Sequence, residues 1–293
     1  MSLIESALQR LRRAEDARTE AAVAVPVAKP APVVVPVLDE PSRRMSLDLG
    51  RLRAAGYLPE EVMERRFADH YRQIKRPLIE KALCGPPEMR LILVTSALPG
   101  DGKTFTSINL ALSMARERDI SVLLIDADGT RARISEVFGL RKEPGLLDAL
   151  ADESIDVESL VHRTDVRGLD VLPAGKFIDH ATELLASARM QQIAARIAGR
   201  SSRRLAVIDS APLLASSEAR SLIRVPGQVV LVVRAGRTPR RAIVEAAAQV
   251  DKSKLQGLII NHARPAPGSA YAYGYYGYED DARERARDAA GSD

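Results

Sequence analysis

Residues 91–111 read LILVTSALPGDGKTFTSINLA, and the order of chemistry along them decides the fold. An uncharged run of Leu, Ile and Val (91–97) leads into a turn holding Pro99, Gly100, Asp101 and Gly102, and then into Lys103, Thr104 and a segment of helical patterning near 104–118. Glycines let main-chain amides turn inward toward phosphate oxygens, and a helix opening on the same turn adds the positive end of its dipole. A lysine and a hydroxyl residue at that helix mouth are the groups that reach the β- and γ-phosphates and a magnesium ion. The spacing predicts a phosphate-binding loop, with contacts from Pro99, Gly100, Asp101, Gly102, Lys103, Thr104 and Phe105, and with Thr104 on Mg2+. One departure from the general pattern is Ala97, which stands where a glycine six positions before the lysine is usual.

Working outward, five more short apolar runs follow at 121–126, 169–174, 204–211, 228–235 and 255–261, with helix-like segments near 133–151, 181–200, 215–224 and 238–252. The runs show little alternation, as strands covered on both faces do. Strand and helix in alternation predict an α/β fold of the P-loop NTPase type, a mostly parallel central sheet with helices on both faces. Two runs end in acids: Asp126 and Asp128 in one, Asp209 in the other. In open α/β sheets ligands bind outside the carboxyl ends of the strands, and Mg2+ prefers oxygen ligands. Thr104, Asp126 and Asp209 are therefore the expected metal-side residues. Asn261, ending the last run, is read either as an adenine contact or as a strand-end turn residue.

The rest of the sequence narrows the class. With 43 basic against 39 acidic residues, interleaved almost everywhere, the net charge of +4 gives no nucleic-acid footprint. No uncharged stretch approaches the roughly 20 apolar residues of a spanning helix, and the start, MSLIESALQRLRR, is charged where a signal peptide is apolar. A lone cysteine, Cys84, excludes an internal disulfide and a multi-thiolate zinc site, and makes a reducing cytoplasm the simplest compartment. The chain divides into an amphipathic helix at 1–21, a Pro/Val/Ala-rich linker at 22–44, a helical pre-domain at 45–84, the P-loop domain at 85–262, and a flexible tail at 263–293.

Taken together these motifs resemble the bacterial tyrosine kinase family, the P-loop autokinases of exopolysaccharide and capsule assembly, over residues 45–278. PGDGKTFTSINLA is similar to the family's Walker A motif, including its tolerance of Ala97. LLIDADGTRARISEVFGL resembles its second, family-specific Walker motif, and AVIDSAPLL its Walker B, where the family more often has Pro at the position of Ala211. The MSLIE start is similar to the branch associated with exosortase systems. Partitioning and septum-placement ATPases share this fold, but their loop carries a lysine five positions before the conserved one, where this chain has Leu98.

The resemblance implies ATP-dependent tyrosine autophosphorylation with Mg2+. Lys103, Asp126 and Asp128 are the implied catalytic residues, Asp126 accepting or placing the phenolic proton, and Asp209 binds metal-coordinated water. Five of the seven tyrosines (Tyr271, Tyr273, Tyr275, Tyr276 and Tyr278) lie among Gly and Ala in the tail. Gly-rich flanks cost ordering entropy and supply no packing, so the cluster is read as phosphoacceptors, with a plain low-complexity tail as the alternative. Ten residues from Asn261 to Tyr271 span up to about 35 Å. Asp69, Arg72 and Lys75, at three-residue steps, resemble the family's oligomerisation motif and are expected to form one charged patch. Further implications are a homo-oligomer such as a ring, a tyrosine phosphatase partner, and a membrane chain-length-determinant partner that activates the kinase and keeps it at the inner face of the plasma membrane. The alternatives are an ATPase switch and a nucleotide-stabilised scaffold.

Overall fold

The six apolar runs become six strands of one eight-stranded sheet. The computed structural model describes residues 43–263. The expected helix at 1–21, nearly all of the linker and the tail tyrosines lie outside the described residues. In chain order the strands are β1 (Arg43–Met45), β2 (Leu91–Ser96), β3 (Ser121–Asp126), β4 (His162–Thr164), β5 (Leu169–Leu172), β6 (Arg204–Asp209), β7 (Gln228–Arg234) and β8 (Leu255–Asn261). They lie side by side as β1-β4-β5-β3-β6-β2-β7-β8. Every neighbouring pair is parallel except β4 with β5.

The helices are α1 (Leu49–Ala54), α2 (Glu64–Cys84), α3 (Lys103–Ala115), α4 (Arg133–Val137), α5 (Leu146–Ala151), α6 (Ala181–Ala186), α7 (Ala188–Gly199), α8 (Ser217–Leu222) and α9 (Arg240–Ala248). Alternate strand residues feed two cores, because successive side chains of a strand point to opposite faces. Leu93, Ile125, Ile208 and Leu231 pack with α5 through α9. Ile92, Leu124, Val207 and Val232 pack with α1 through α4. Leu52, Tyr71, Leu78 and Ala82 belong to this second core, so residues 43–84 are built onto the same sheet as the loop. Each such large apolar side chain contributes about 1.5–3 kcal/mol by leaving water.

Three local features differ from the sequence expectation. The stretch 133–151 is two helices rather than one: Gly139 takes φ 75°, and the amides of Leu146 and Leu147 bond to the carbonyls of Pro173 and Ala174. Residues 181–200 break at Ser187, whose extended backbone (ψ 162°) ends α6 and whose hydroxyl accepts from the Met190 amide to cap α7. Strands β1 and β4, with the sequences RRM and HRT, carry no apolar run to announce them, and β1 begins within the stretch read as linker.

For function the consequence is one edge. β6 lies between β3 and β2, Asp126 is the cross-strand partner of Asp209, and Val94 pairs with Asp209 on the other side. The register carries both strand-end acids to the loop that leaves β2.

Candidate active site

Gly100 and Gly102 adopt φ 85° and 99°, the left-handed region open to glycine. This turn brings the chain into α3, whose first bond runs from the Thr106 amide to the Gly102 carbonyl at 3.0 Å. The amides of Lys103, Thr104 and Phe105 precede that bond and have no intrahelical acceptor. These three amides stand at the helix mouth where the sequence reading expects phosphate contacts.

Asp101 shapes the loop from inside. It is 2% exposed. Its carboxylate accepts from the Leu98 amide (3.0 Å) and the Thr238 hydroxyl (2.8 Å), while its carbonyl accepts from Asn261 Nδ2 (3.0 Å). Asn261 thus touches the loop directly and braces the turn. Phe105 turns its ring edge-on to Phe67 of α2 at 5.9 Å, leaving only its amide for the loop.

The acids surround Lys103. Its ammonium group donates to Asp128 Oδ2 at 3.1 Å, with side-chain exposures of 10% and 2%. Thr104 Oγ1 and Ser107 Oγ donate to the two oxygens of Asp209 at 2.8 and 3.0 Å. Asp126 is fully buried, and its Oδ2 accepts from both the amide and the hydroxyl of Ser135, each at 2.8 Å. Every predicted catalytic and metal-side residue is therefore gathered at one strand edge. The donor set is oxygen throughout, as Mg2+ requires. Among the described residues no three acidic, histidine or cysteine side chains converge on one metal position, so a bound ion would take its remaining oxygens from phosphate and water. Gly102 has no room for a side chain, since a Cβ there would stand 1.8 Å from Asn261 Nδ2.

Burial, followed by the charge of Asp209, pushes Asp126 up to about 7. Burial also raises Asp209, to about 6, against the pull of Lys103. For Lys103, burial opposes the ammonium form, but the Asp209 and Asp128 carboxylates outweigh it and the value rises. Because both acids titrate above the ordinary carboxylate value in the folded state, their contribution to stability is full below about pH 4. It is lost as pH rises through 6 and 7. The nucleotide-free protein is expected to melt several degrees lower at pH 8 than at pH 5, and Asp126→Asn to flatten that slope. Parallel slopes for the two proteins in thermal melts would contradict this account.

The expected charged patch on α2 divides. Asp69 and Arg72 pair on the outer surface at 2.8 Å. Lys75 is 5% exposed and turns inward, donating to the Ser113 carbonyl at 2.6 Å and pairing with Glu117 at 2.7 Å. Four residues that the sequence reading does not single out join the site: Ser107 and Ser135, which lie inside the quoted motifs, and Thr238 and Glu218, which lie outside them. Ser107 lies one helical turn beyond Lys103, a signal the sequence does hold. Glu218 accepts from Thr130 at 3.3 Å, and burial and the neighbouring Asp128 charge raise its carboxyl. Only the fold brings it there.

Known proteins resemble this chain in sequence and in fold. A family model described as an AAA domain matches residues 89–236. Tyrosine-protein kinase YwqD of Bacillus subtilis is 34% identical over 195 residues, 66% of this chain and 80% of that protein. The putative tyrosine-protein kinase EpsB of Ralstonia solanacearum is 36% identical over 63% of this chain but only 24% of its own length. Among solved structures, the VpsO kinase domain is 28% identical with a TM-score of 0.58, covering 70% of this chain and all of that one. A loop with its lysine among three strand-end aspartates, in a chain this similar to those kinases, has one reading: the protein belongs to the bacterial tyrosine kinase family.

Proposed function

We propose that this chain transfers the γ-phosphate of ATP to Tyr271, Tyr273, Tyr275, Tyr276 and Tyr278 of a neighbouring subunit, and so regulates the synthesis, chain length or export of an exopolysaccharide. The observation that carries the reading is the convergence of Lys103, Thr104, Asp126, Asp128 and Asp209 on one strand edge. Lys103 and the loop amides hold the triphosphate; Thr104 would hold Mg2+ and Asp209 its coordinated water, and the ion would supply positive charge to the phosphate oxygens. Asp126 takes the phenolic proton as the new bond from tyrosine oxygen to phosphorus forms and the bond to the β-phosphate oxygen breaks, leaving its electron pair on ADP. A carboxylate with a value near 7 suits that role at neutral pH. Asp128 releases Lys103 toward the phosphates and steadies the loop that follows β3. Positioning and electrostatics carry most of phosphoryl transfer.

The tyrosines elsewhere support the tail as acceptor. Tyr71 is 6% exposed, and burial raises its phenol far from ionisation. Tyr57 is half-buried. A homo-oligomer, an activating membrane chain-length protein and a tyrosine phosphatase complete the proposal, with the chain at the inner face of the plasma membrane through its partner. Among the described residues no helix is long and apolar enough to cross a membrane. Mass spectrometry after incubation with Mg-ATP tests the reading: phosphate is expected on the five tail tyrosines and absent from Tyr71. Replacing all five by Phe should cut labelling at least about tenfold. ATP turnover without any phosphotyrosine would favour a water-directed ATPase instead.

A further inference from the structure

Beside the phosphate loop lies a strongly basic connection. Residues 234–241, RAGRTPRR, hold four arginines and no acid. The connection is fastened to the loop twice, by the Thr238 hydroxyl on Asp101 at 2.8 Å and by Arg234 Nη1 at 3.5 Å from the Gly100 carbonyl. Arg237 reaches over the same turn, its Nη1 lying 3.8 Å from where a Cβ on Gly100 would stand. Arg237, Arg240 and Arg241 are exposed, and among the described residues none of the three has an ion-pair partner. Some other exposed arginines are paired, Arg72 with Asp69, Arg133 with Glu136 and Arg196 with Asp156, while others, Arg65, Arg66 and Arg76 among them, have no ion pair among the described residues; what sets these three apart is their place beside the phosphate loop. Stability does not favour the arrangement either, since Arg240 and Arg241 open α9, where the helix dipole repels cations.

The chain itself carries the complement. β8 ends against this connection, the Ala235 amide bonding to the Asn261 carbonyl at 2.9 Å. The tail departs from there, and directly after its last tyrosine come Glu279, Asp280 and Asp281. Sixteen residues from Ala263 to Glu279 extend up to about 55 Å, ample to return to the connection or to reach that of a second copy. We infer that Arg237, Arg240 and Arg241 form a docking site for the acidic segment Glu279–Asp281 of the tail. Guanidinium groups take carboxylates in paired, charge-assisted bonds. With that segment held at the rim, the preceding tyrosines are suspended over the phosphate loop. The inference rests on the proposed acceptor role of the tail and adds how the acceptor is recognised.

The test uses the full chain in three forms: Arg237→Gln/Arg240→Gln/Arg241→Gln, Glu279→Gln/Asp280→Asn/Asp281→Asn, and the two sets combined. The initial rate of tail phosphorylation and the affinity for a fluorescent ATP analogue are read in each. Each set alone should slow labelling about tenfold, the sum of several exposed charge pairs, with nucleotide affinity within about twofold of wild type. The combination should be no slower than either alone, because both sets remove one interaction. A charge reversal, Arg240→Glu/Arg241→Glu with Asp280→Arg/Asp281→Arg, should recover most of the rate. Wild-type labelling by the arginine variant, losses that multiply on combination, or nucleotide affinity falling with labelling would each overturn the inference. So would arginine substitutions that abolish binding to phosphatidylglycerol vesicles yet leave tail labelling intact, since the patch would then face a membrane. A wild-type protein that labels no tyrosine defeats the kinase reading itself, and the docking site with it.

Discussion

Lys103→Met is expected to reduce tail phosphorylation by about 10²- to 10³-fold, the scale on which removing one preorganised charge from a transferring group is felt. The position explains why no neighbour substitutes. The ammonium is nearly enclosed, bonded to Asp128, and surrounded by the charges of Asp209 and Asp126. Methionine keeps the volume and removes the charge, so three clustered carboxyls lose their common counter-ion. Breaking a buried pair from one side typically costs about 3–5 kcal/mol. Protonation relieves part of that cost, and the variant should therefore lose more stability at pH 8 than at pH 5.5. Adding Asp128→Asn should return stability without returning activity, because the uncompensated carboxylate is gone while the phosphates still lack their lysine. Labelling above about a tenth of the wild-type rate in the purified Lys103→Met protein would contradict the assigned role.

How far the residues disclosed themselves depends on how local the information is. The loop was legible because Gly100, Gly102, Lys103 and Thr104 are contiguous, and their backbone requirements are written in adjacent letters. Asp126 and Asp209 were legible because each ends an apolar run, although only the register of β3, β6 and β2 makes them neighbours. Lys75 shows the opposite case. Three-residue steps on a helix fall about 60° short of a full turn each time, so Lys75 stands roughly 120° around the helix from Asp69. That rotation carries it from the solvent face to the α3 face, where Glu117 waits. Ser135 reaches Asp126 from nine residues away across a turn in which Ala132 takes φ 42°, and Thr238 reaches Asp101 from 137 residues away. Contacts of that kind are properties of the assembled sheet, and no window of sequence contains them. β1 and β4 escape the sequence reading for a simpler reason: each is only three residues long, RRM at the sheet edge and HRT beside it, too short to hold an apolar run.

Gly102→Ala should weaken nucleotide binding about a hundredfold, through two separable causes. The first is conformational. At φ 99° an alanine stands in the left-handed region, which disfavours a Cβ by about 1–2 kcal/mol. The second is a collision, because the new Cβ would lie 1.8 Å from Asn261 Nδ2 and the asparagine must move. In moving it gives up its bond to the Asp101 carbonyl, the brace on the far side of the same turn. Asn261→Ala alone should weaken binding only several-fold, as the loss of one such bond does. In the double variant the collision is absent and the backbone penalty persists, so affinity should recover part of the way from the Gly102→Ala value. The interaction energy of that cycle then measures the collision by itself. Calorimetric titration with Mg-ATP gives all four affinities. A Gly102→Ala protein that binds like wild type would mean the amides of this turn do not receive the phosphates, and the assignment of the loop would fall with it.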